Sequence, residues 1–507
     1  MEKLYNNIAY EPDSSPSDAQ NVPYLKNPPE IIDISVGRQL FVDDFLIEST
    51  DLAPEYHNPK KFEGNPILFP ETPWETDGAP AACPKSGGVW YDEEERIYKM
   101  WYEGTWLKNM CYATSKDGIH WERPDLGIVK GTNMILPYEN YTELEYHMPK
   151  TTYLRPDSTT VFIDYNAPKD EKYKLYLHNP GGCFPAVIAV SGDGIHFHDF
   201  ALAGDMNTGD RSTIFYNPFR KKWVYSVRAF WSGRCRSYRE SDNYLALAAQ
   251  GSECERRWMA CDNLDKANPY IGFPPQLYNI DCVAYESIML GMFQIMYGPE
   301  NDVCEKAGVP KITELMPMYS RDGFHFSRPC RKTFLNASIH EGAWDRGYVQ
   351  SVGGLCIIHG NELWIYYIGF GGDTNKVGVP WTQNGMYCNG ATGLAKLRRD
   401  GFVSMNGSGT LTTRLFECHG KRDFYINAVG TVSVELLSAD GTLLARSEEF
   451  HGDSTAYKMN FGDFDVSTLN NAPFRLRFHV SGKLYSFGLA DENGDFGGAH
   501  AAGLVKQ

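Results

Sequence analysis

The stretch that decides the fold is "SKDGIHWERP", Ser115 to Pro124, because the chain writes it again. Ser191 opens "SGDGIHFHDF", Ser320 opens "SRDGFHFSRP" and Arg398 opens a looser "RRDGFVSM". Each copy has the chemistry of a tight turn. Asp accepts hydrogen bonds from nearby backbone N–H groups, Gly supplies a positive φ, and the next aromatic anchors the turn on a sheet. The four Asp residues (Asp117, Asp193, Asp322, Asp400) are spaced 76, 129 and 78 residues apart. The middle interval spans two periods, so a decayed copy is expected in "YRESDNYLALAAQGSECERRW".

A second series runs in step with the first. "VWYDEEERIYKMWYEG" reads as strand, turn at Asp92, strand. Similar hairpins follow with turns at Asp164, Asn217, near Gly291 and at Gly360. Five hairpins, four of them followed by an Asp-Gly turn, predict five similar all-β units. A blade of a β-propeller is such a unit: a small twisted sheet that buries its faces only against its neighbours around an axis. The 27 Phe, 31 Tyr and 11 Trp suit packing between sheets. The turn Asp residues, and His120, His196 and His325 beside them, are then architectural, since one per blade on the outside cannot converge on a ligand.

The expected fold is all-β, a five-bladed β-propeller followed by a small C-terminal β-sandwich. Residues 1–35, with "EPDSSPSD" and "KNPPE", read as an extended arm. Residues 36–404 read as the propeller, with "GRQLFVDDFLIEST" as a strand pair that helps close the ring. Residues 405–507 alternate in period two with frequent turn signals, as a sandwich does.

Composition narrows the partners. The 507-residue chain carries a formal charge of −16, which argues against nucleic acid, because phosphate binding needs clustered Lys and Arg. No apolar run reaches the roughly 18 residues that a membrane span needs. The N-terminus lacks the apolar core of a secretion signal, so a cytoplasmic location is expected. The 12 Cys are scattered without CxxC pairs and read as buried thiols. Neither a phosphate-cradling loop nor a metal-spaced cluster is present, so no cofactor and no metal are expected. A homo-oligomer is compatible with the sequence.

Aligned hairpins place carboxylates at matched positions. Asp157 lies seven residues before Asp164, and Asp210 seven before Asn217. Glu286 lies five before Gly291, and Lys85 holds the matched place in the first unit. Converging like charges raise one pKa and so set an acid beside an ionised partner, the pairing that glycoside cleavage needs. The plainer alternative is that these residues cap turns where strands begin. Asp77 and Asp345 are candidates for binding substrate hydroxyls. Arg211, Arg228 and Arg239 could orient a carboxylate or grip polar groups. Trp106, Trp231, Trp344 and Tyr348 offer faces for sugar rings, and Tyr285 could tune Glu286.

With "LFVDDFLIE", "YKMWYEG", "SKDGIHWERP", "GDRSTIFYNP" and "AYESIMLG", the stretch from Gly37 to Gly401 resembles the five-bladed propeller glycosidases. That group holds glycoside hydrolase families 32, 43, 68 and 130, and the resemblance is greatest to bacterial members with a family 32 N-terminal-like domain. The resemblance implies Asp157 as nucleophile or base, Asp210 as stabiliser, Glu286 as general acid and a small carbohydrate as substrate. The chain has no "NDPNG", and neither "RDP" nor "EC" at the matching places, so invertase activity on sucrose is not expected. Two alternatives stand beside hydrolysis: an inverting glycoside phosphorylase, with Arg211, Arg228 and Arg234 for phosphate, and a carbohydrate-binding propeller without catalysis.

Overall fold

The computed structural model describes residues 2–11, 15–136, 157–178, 186–202, 209–380 and 383–506. Five antiparallel sheets form a closed ring. The first is built on Ile97–Gly104 and Asn109–Ser115, with Val89–Asp92 and Ala82–Cys83 both paired to the former. The second runs Asp157–Ile163, Tyr173–His178, Ala186–Ser191, His198–Leu202. The third runs Thr213–Asn217, Lys222–Ala229, Cys235–Ser241, Arg256–Met259. The fourth runs Gln276–Glu286, Ile288–Gly298, Ile312–Ser320, and the fifth is built on Glu362–Phe370 and Gly390–Arg398. Their leading segments touch in sequence. Residues 85–87 meet Asp157–Ile163, which meets Thr213–Asn217, which meets Gln276–Glu286. Ile312–Ser320 meets Gly347–Ser351, which returns to residues 85–87.

The repeated turn follows the third strand of its blade, and its bonding is the same in three copies. Ser115 Oγ accepts from Gly118 N, Asp117 from the amides of Ile119 and His120, and His120 Nδ1 lies 2.7 Å from Asp117. Ser191–His196 and Ser320–His325 repeat each bond. The decayed copy, after the third strand of blade three, keeps Asn243 N bonded to Ser241 Oγ and Ala246 N bonded to Asn243 Oδ1. Three copies also dock on the preceding blade. Trp101 Nε1 donates to Gly194 O, Trp258 Nε1 to Phe324 O, and Tyr366 Oη to Gly118 O. Gly194 is needed twice over: its φ is +76°, and a Cβ would stand 2.7 Å from the Trp101 ring. The recurring motif is therefore a blade-to-blade fastener. Asp322, buried in its copy, holds two amides and His325. Asp322→Ala should cost about 2 kcal/mol in urea unfolding, because it strands buried donors. Asp117→Ala, at an exposed copy, should cost less.

Two expectations shift. Ring closure uses Lys60–Lys61, which pairs with Gly390–Arg398 of blade five. The pair expected there, Gln39–Leu40 and Ile47–Thr50, instead joins a ten-stranded sheet with Val403–Thr413, Asp423–Ser438 and Phe474–Ala490. That sheet shares one hydrophobic core with blades three and four. The chain then leaves it again. Ala499–His500 pairs with Gln276–Glu286 of blade four, and Leu504–Val505 with Ile357–His359 of blade five. Of the arm, Leu4, Ile8, Tyr10 and Tyr24 are buried, and Tyr24 Oη donates to His325 O. Among the described residues no helix is long and apolar enough to cross a membrane.

Candidate active site

Four residues that begin or precede the inner strands lie in the left-handed region: Lys85 (φ +45°), Ser158 (+53°), Arg211 (+64°) and Tyr348 (+54°). They come from blades one, two, three and five. Side chains pay for this conformation, and such residues persist where the surroundings fix them. Here the conformation turns them toward one another. Lys85 Nζ lies 3.2 Å from Asp157 Oδ1 and 2.6 Å from Glu103 Oε1. Arg211 reaches Asp157 at 3.5 Å and donates to Tyr348 Oη at 2.7 Å. Tyr348 Oη lies 3.2 Å from Tyr278 Oη, to which Lys311 donates at 3.3 Å. Trp106 lies beneath, with the Lys85 ammonium 3.8 Å from its ring centre and Tyr387 stacked on it at 4.1 Å. All five blades contribute.

The electrostatics separate the two carboxylates on Lys85. Burial raises both, but Lys85 and Arg211 overcome it at Asp157 and hold that carboxyl well below the usual range. At Glu103 burial wins over Lys85, and the charge of Asp157 adds to it, lifting Glu103 to about 7. Asp281, bonded to Ser351 at 2.6 Å and Asn279 at 3.0 Å, is raised by burial to about 6. Tyr278 is buried, which pushes a phenol up, yet Lys311, Arg211 and Arg234 bring it down to about 7.

The structure gathers part of the expected set. Asp157 and Arg211 are at the centre. Asp210 is next to Arg211, whose amide donates to Ser158 Oγ, and its carboxylate is ion-paired with Arg228. Glu286 is elsewhere. The blade-four hairpin turns at residues 286–288, and Gly291 sits mid-strand opposite Cys282. The run from Gln276 to Gly298 has no Asp-Gly or Asn-Gly to mark its turn, so the glycine is a false marker. Glu286 thus closes the inner strand at the end opposite Tyr278, eight residues away, or about 26 Å of extended chain. There it pairs with Arg399 at 2.8 Å and Arg38 at 3.8 Å. Tyr285 donates to Asp400, which also holds Arg38, Ser486 and Asn427. Both residues are joints between the propeller and the ten-stranded sheet. Counted back from the true turn, the carboxylate of blade four is Asp281.

The remaining expected residues are outside the cluster. Asp77 is exposed and paired with Lys108. Asp345 is buried against Lys61 at 2.6 Å and Tyr367, tying the closing strand to blade five. Trp344 packs on Tyr367, Trp231 lies 5.7 Å from the Arg257 guanidinium, and Arg239 pairs with Glu255. Lys85 stood at the matched position in the sequence, but as a cation among carboxylates it gave no sign of a role. Glu103 and Tyr278 carried no signal, since neither stands at the matched spacing before a hairpin turn.

No family model matches the chain, and no curated protein matches it. Among solved structures it is similar to a thermostable family 43 glycoside hydrolase, with 10% identity over 63% of this chain and 92% of that one, at a TM-score of 0.41. A structure from family 130, described as mannoside phosphorylases that include hydrolases of β-1,2-mannosidic linkages in Candida mannan, shares 11% identity. It covers 69% of this chain and 97% of that one, at 0.41. The catalytic domain of a family 62 α-L-arabinofuranosidase from Coprinopsis cinerea shares 12% identity over 67% and 97%, at 0.40. At these values the reading of the site rests on its own geometry.

Proposed function

We propose that the chain cleaves a glycosidic bond in a short oligosaccharide, at the mouth of the propeller channel where Asp157 and Glu103 flank Lys85. The observation that carries the reading is the divergence of these two carboxylates: one kept ionised by two cations, the other kept protonated near neutrality by burial. Groups pushed apart in this way divide into base and acid. Asp157, ionised, attacks the anomeric carbon or activates the water that does. Glu103 supplies the proton to the leaving oxygen, and Lys85 and Arg211 hold Asp157 in place. Trp106 and Tyr348, both buried, pack against these charged groups.

The pH dependence follows in sign. The reaction needs Asp157 ionised and Glu103 protonated. The rate therefore rises only at acid pH, as Asp157 loses its proton, and falls as pH climbs through about 7. Glu103→Gln should lower kcat by about 10²-fold and abolish the alkaline limb. Asp281→Asn serves as the control, because Asp281 titrates nearby, at about 6. An unchanged alkaline limb in Glu103→Gln would remove Glu103 from the acid role. The assay is a panel of aryl glycosides, furanosides included, run with and without inorganic phosphate. Phosphorolysis is the second reading, favoured by the closely spaced Arg228 and Arg234, and a strict requirement for phosphate would select it. A panel without any turnover would leave carbohydrate binding alone.

A further inference from the structure

Three arginines gather at the boundary between blades three and four, with Asp210 and Asp281 as the neighbouring carboxylates. Arg228 and Arg236 sit opposite each other on paired strands, and Arg234 is two residues from Arg236. Only Arg228 among these three forms an ion pair among the described residues, with Asp210. Arg236 has no exposed surface at all. It donates from Nη2 to the Tyr278 carbonyl across the blade boundary, while its Nε and Nη1 lack partners among the described residues. Burial and the neighbouring Arg228 outweigh the charge of Asp281 and bring Arg236 down to about 9. A buried guanidinium with free donors is costly, and an arriving anion removes that cost. Beside this cluster Phe230 is 62% exposed, its ring 4.7 Å from the Arg228 guanidinium and 6.0 Å from that of Arg234. An exposed ring next to unsatisfied guanidinium donors suits a sugar that stacks its C–H face and carries an oxyanion.

We infer that Arg228, Arg234, Arg236 and Phe230 form a subsite for an acidic sugar, one bearing a carboxylate or a sulfate ester. The inference rests on the proposed action on carbohydrate and names the class of substrate. The protein is −16 overall, so this cluster is a local exception to a field that would repel such a ligand.

The test titrates the full chain with sodium glucuronate, glucose and inorganic phosphate at constant ionic strength, by calorimetry and ligand-observed NMR. Glucuronate should bind while glucose does not, and Arg234→Gln, at a half-buried position, should weaken glucuronate at least tenfold. Arg236→Met should do the same. Should it misfold, Arg234→Gln and Phe230→Ala carry the test. Equal behaviour of glucuronate and glucose, unchanged binding in Arg234→Gln, or phosphate binding to which glucuronate adds nothing would overturn the subsite. Asp157→Asn should retain glucuronate binding. An Asp157→Asn variant without activity in a protein that ignores glucuronate rejects the subsite alone. Full activity in that variant with glucuronate bound rejects the catalytic assignment alone.

Discussion

Asp157→Asn should reduce glycoside cleavage by about 10³-fold or more while leaving a folded protein, because the amide keeps the shape but cannot act as nucleophile or base. The fold survives for a physical reason. Lys85 retains Glu103 at 2.6 Å, and Arg211 retains its bond to Tyr348. With the charge of Asp157 gone, Glu103 loses the neighbour that helps to raise its pKa. Residual activity should therefore show an alkaline limb shifted to lower pH. Steady-state kinetics on the best substrate from the glycoside panel measure both effects. Turnover in Asp157→Asn equal to the parent would end the proposal that this cluster is catalytic.

Glu286→Gln should do the reverse. Glu286 is buried at the seam between propeller and ten-stranded sheet, with Arg399 and Arg38 upon it and the Arg38 amide donating to its second oxygen. Breaking a buried pair from one side leaves the cations uncompensated and costs about 3–5 kcal/mol. Arg38 keeps Asp400, which Arg38 and Arg399 hold at about 2 against the upward push of burial, so the loss should fall at the lower end. Denaturant unfolding should show that loss, and kcat of the folded fraction should stay within about twofold of the parent. A catalytic defect in stable, folded Glu286→Gln protein would return the residue to the site.

The repeated turns made the blades legible because the same physical problem recurs five times. A blade must reverse after its third strand and lock to its neighbour, and Ser-x-Asp-Gly with a following aromatic does both. Asp157 was legible for a related reason, since it stands seven residues before the marked hairpin turn at Asp164, and Arg211 follows the residue at the same spacing in blade three. The same counting went astray in blade four. The turn at Glu286-Ser287 carries no Asp-Gly or Asn-Gly, and Gly291 taken as its marker shifts the register by several residues. That shift exchanges Asp281, buried mid-strand and bonded to Ser351 of blade five, for Glu286 at the end of the strand.

Local pattern thus determined the strands, their number and the blade repeat, because period-two alternation and turn chemistry act over a few residues. Which charges meet was decided only in three dimensions. Lys85, Glu103, Asp157, Arg211, Tyr278 and Tyr348 come from all five blades, and the pKa values of Glu103, Asp157, Arg211, Tyr278 and Tyr348 depend on burial and on neighbours as far as 137 residues away in the chain. Ring closure was decided there as well. Lys60–Lys61 and Leu504–Val505 carry no pattern of their own, and they become strands only because the edges of blade five offer them unpaired backbone.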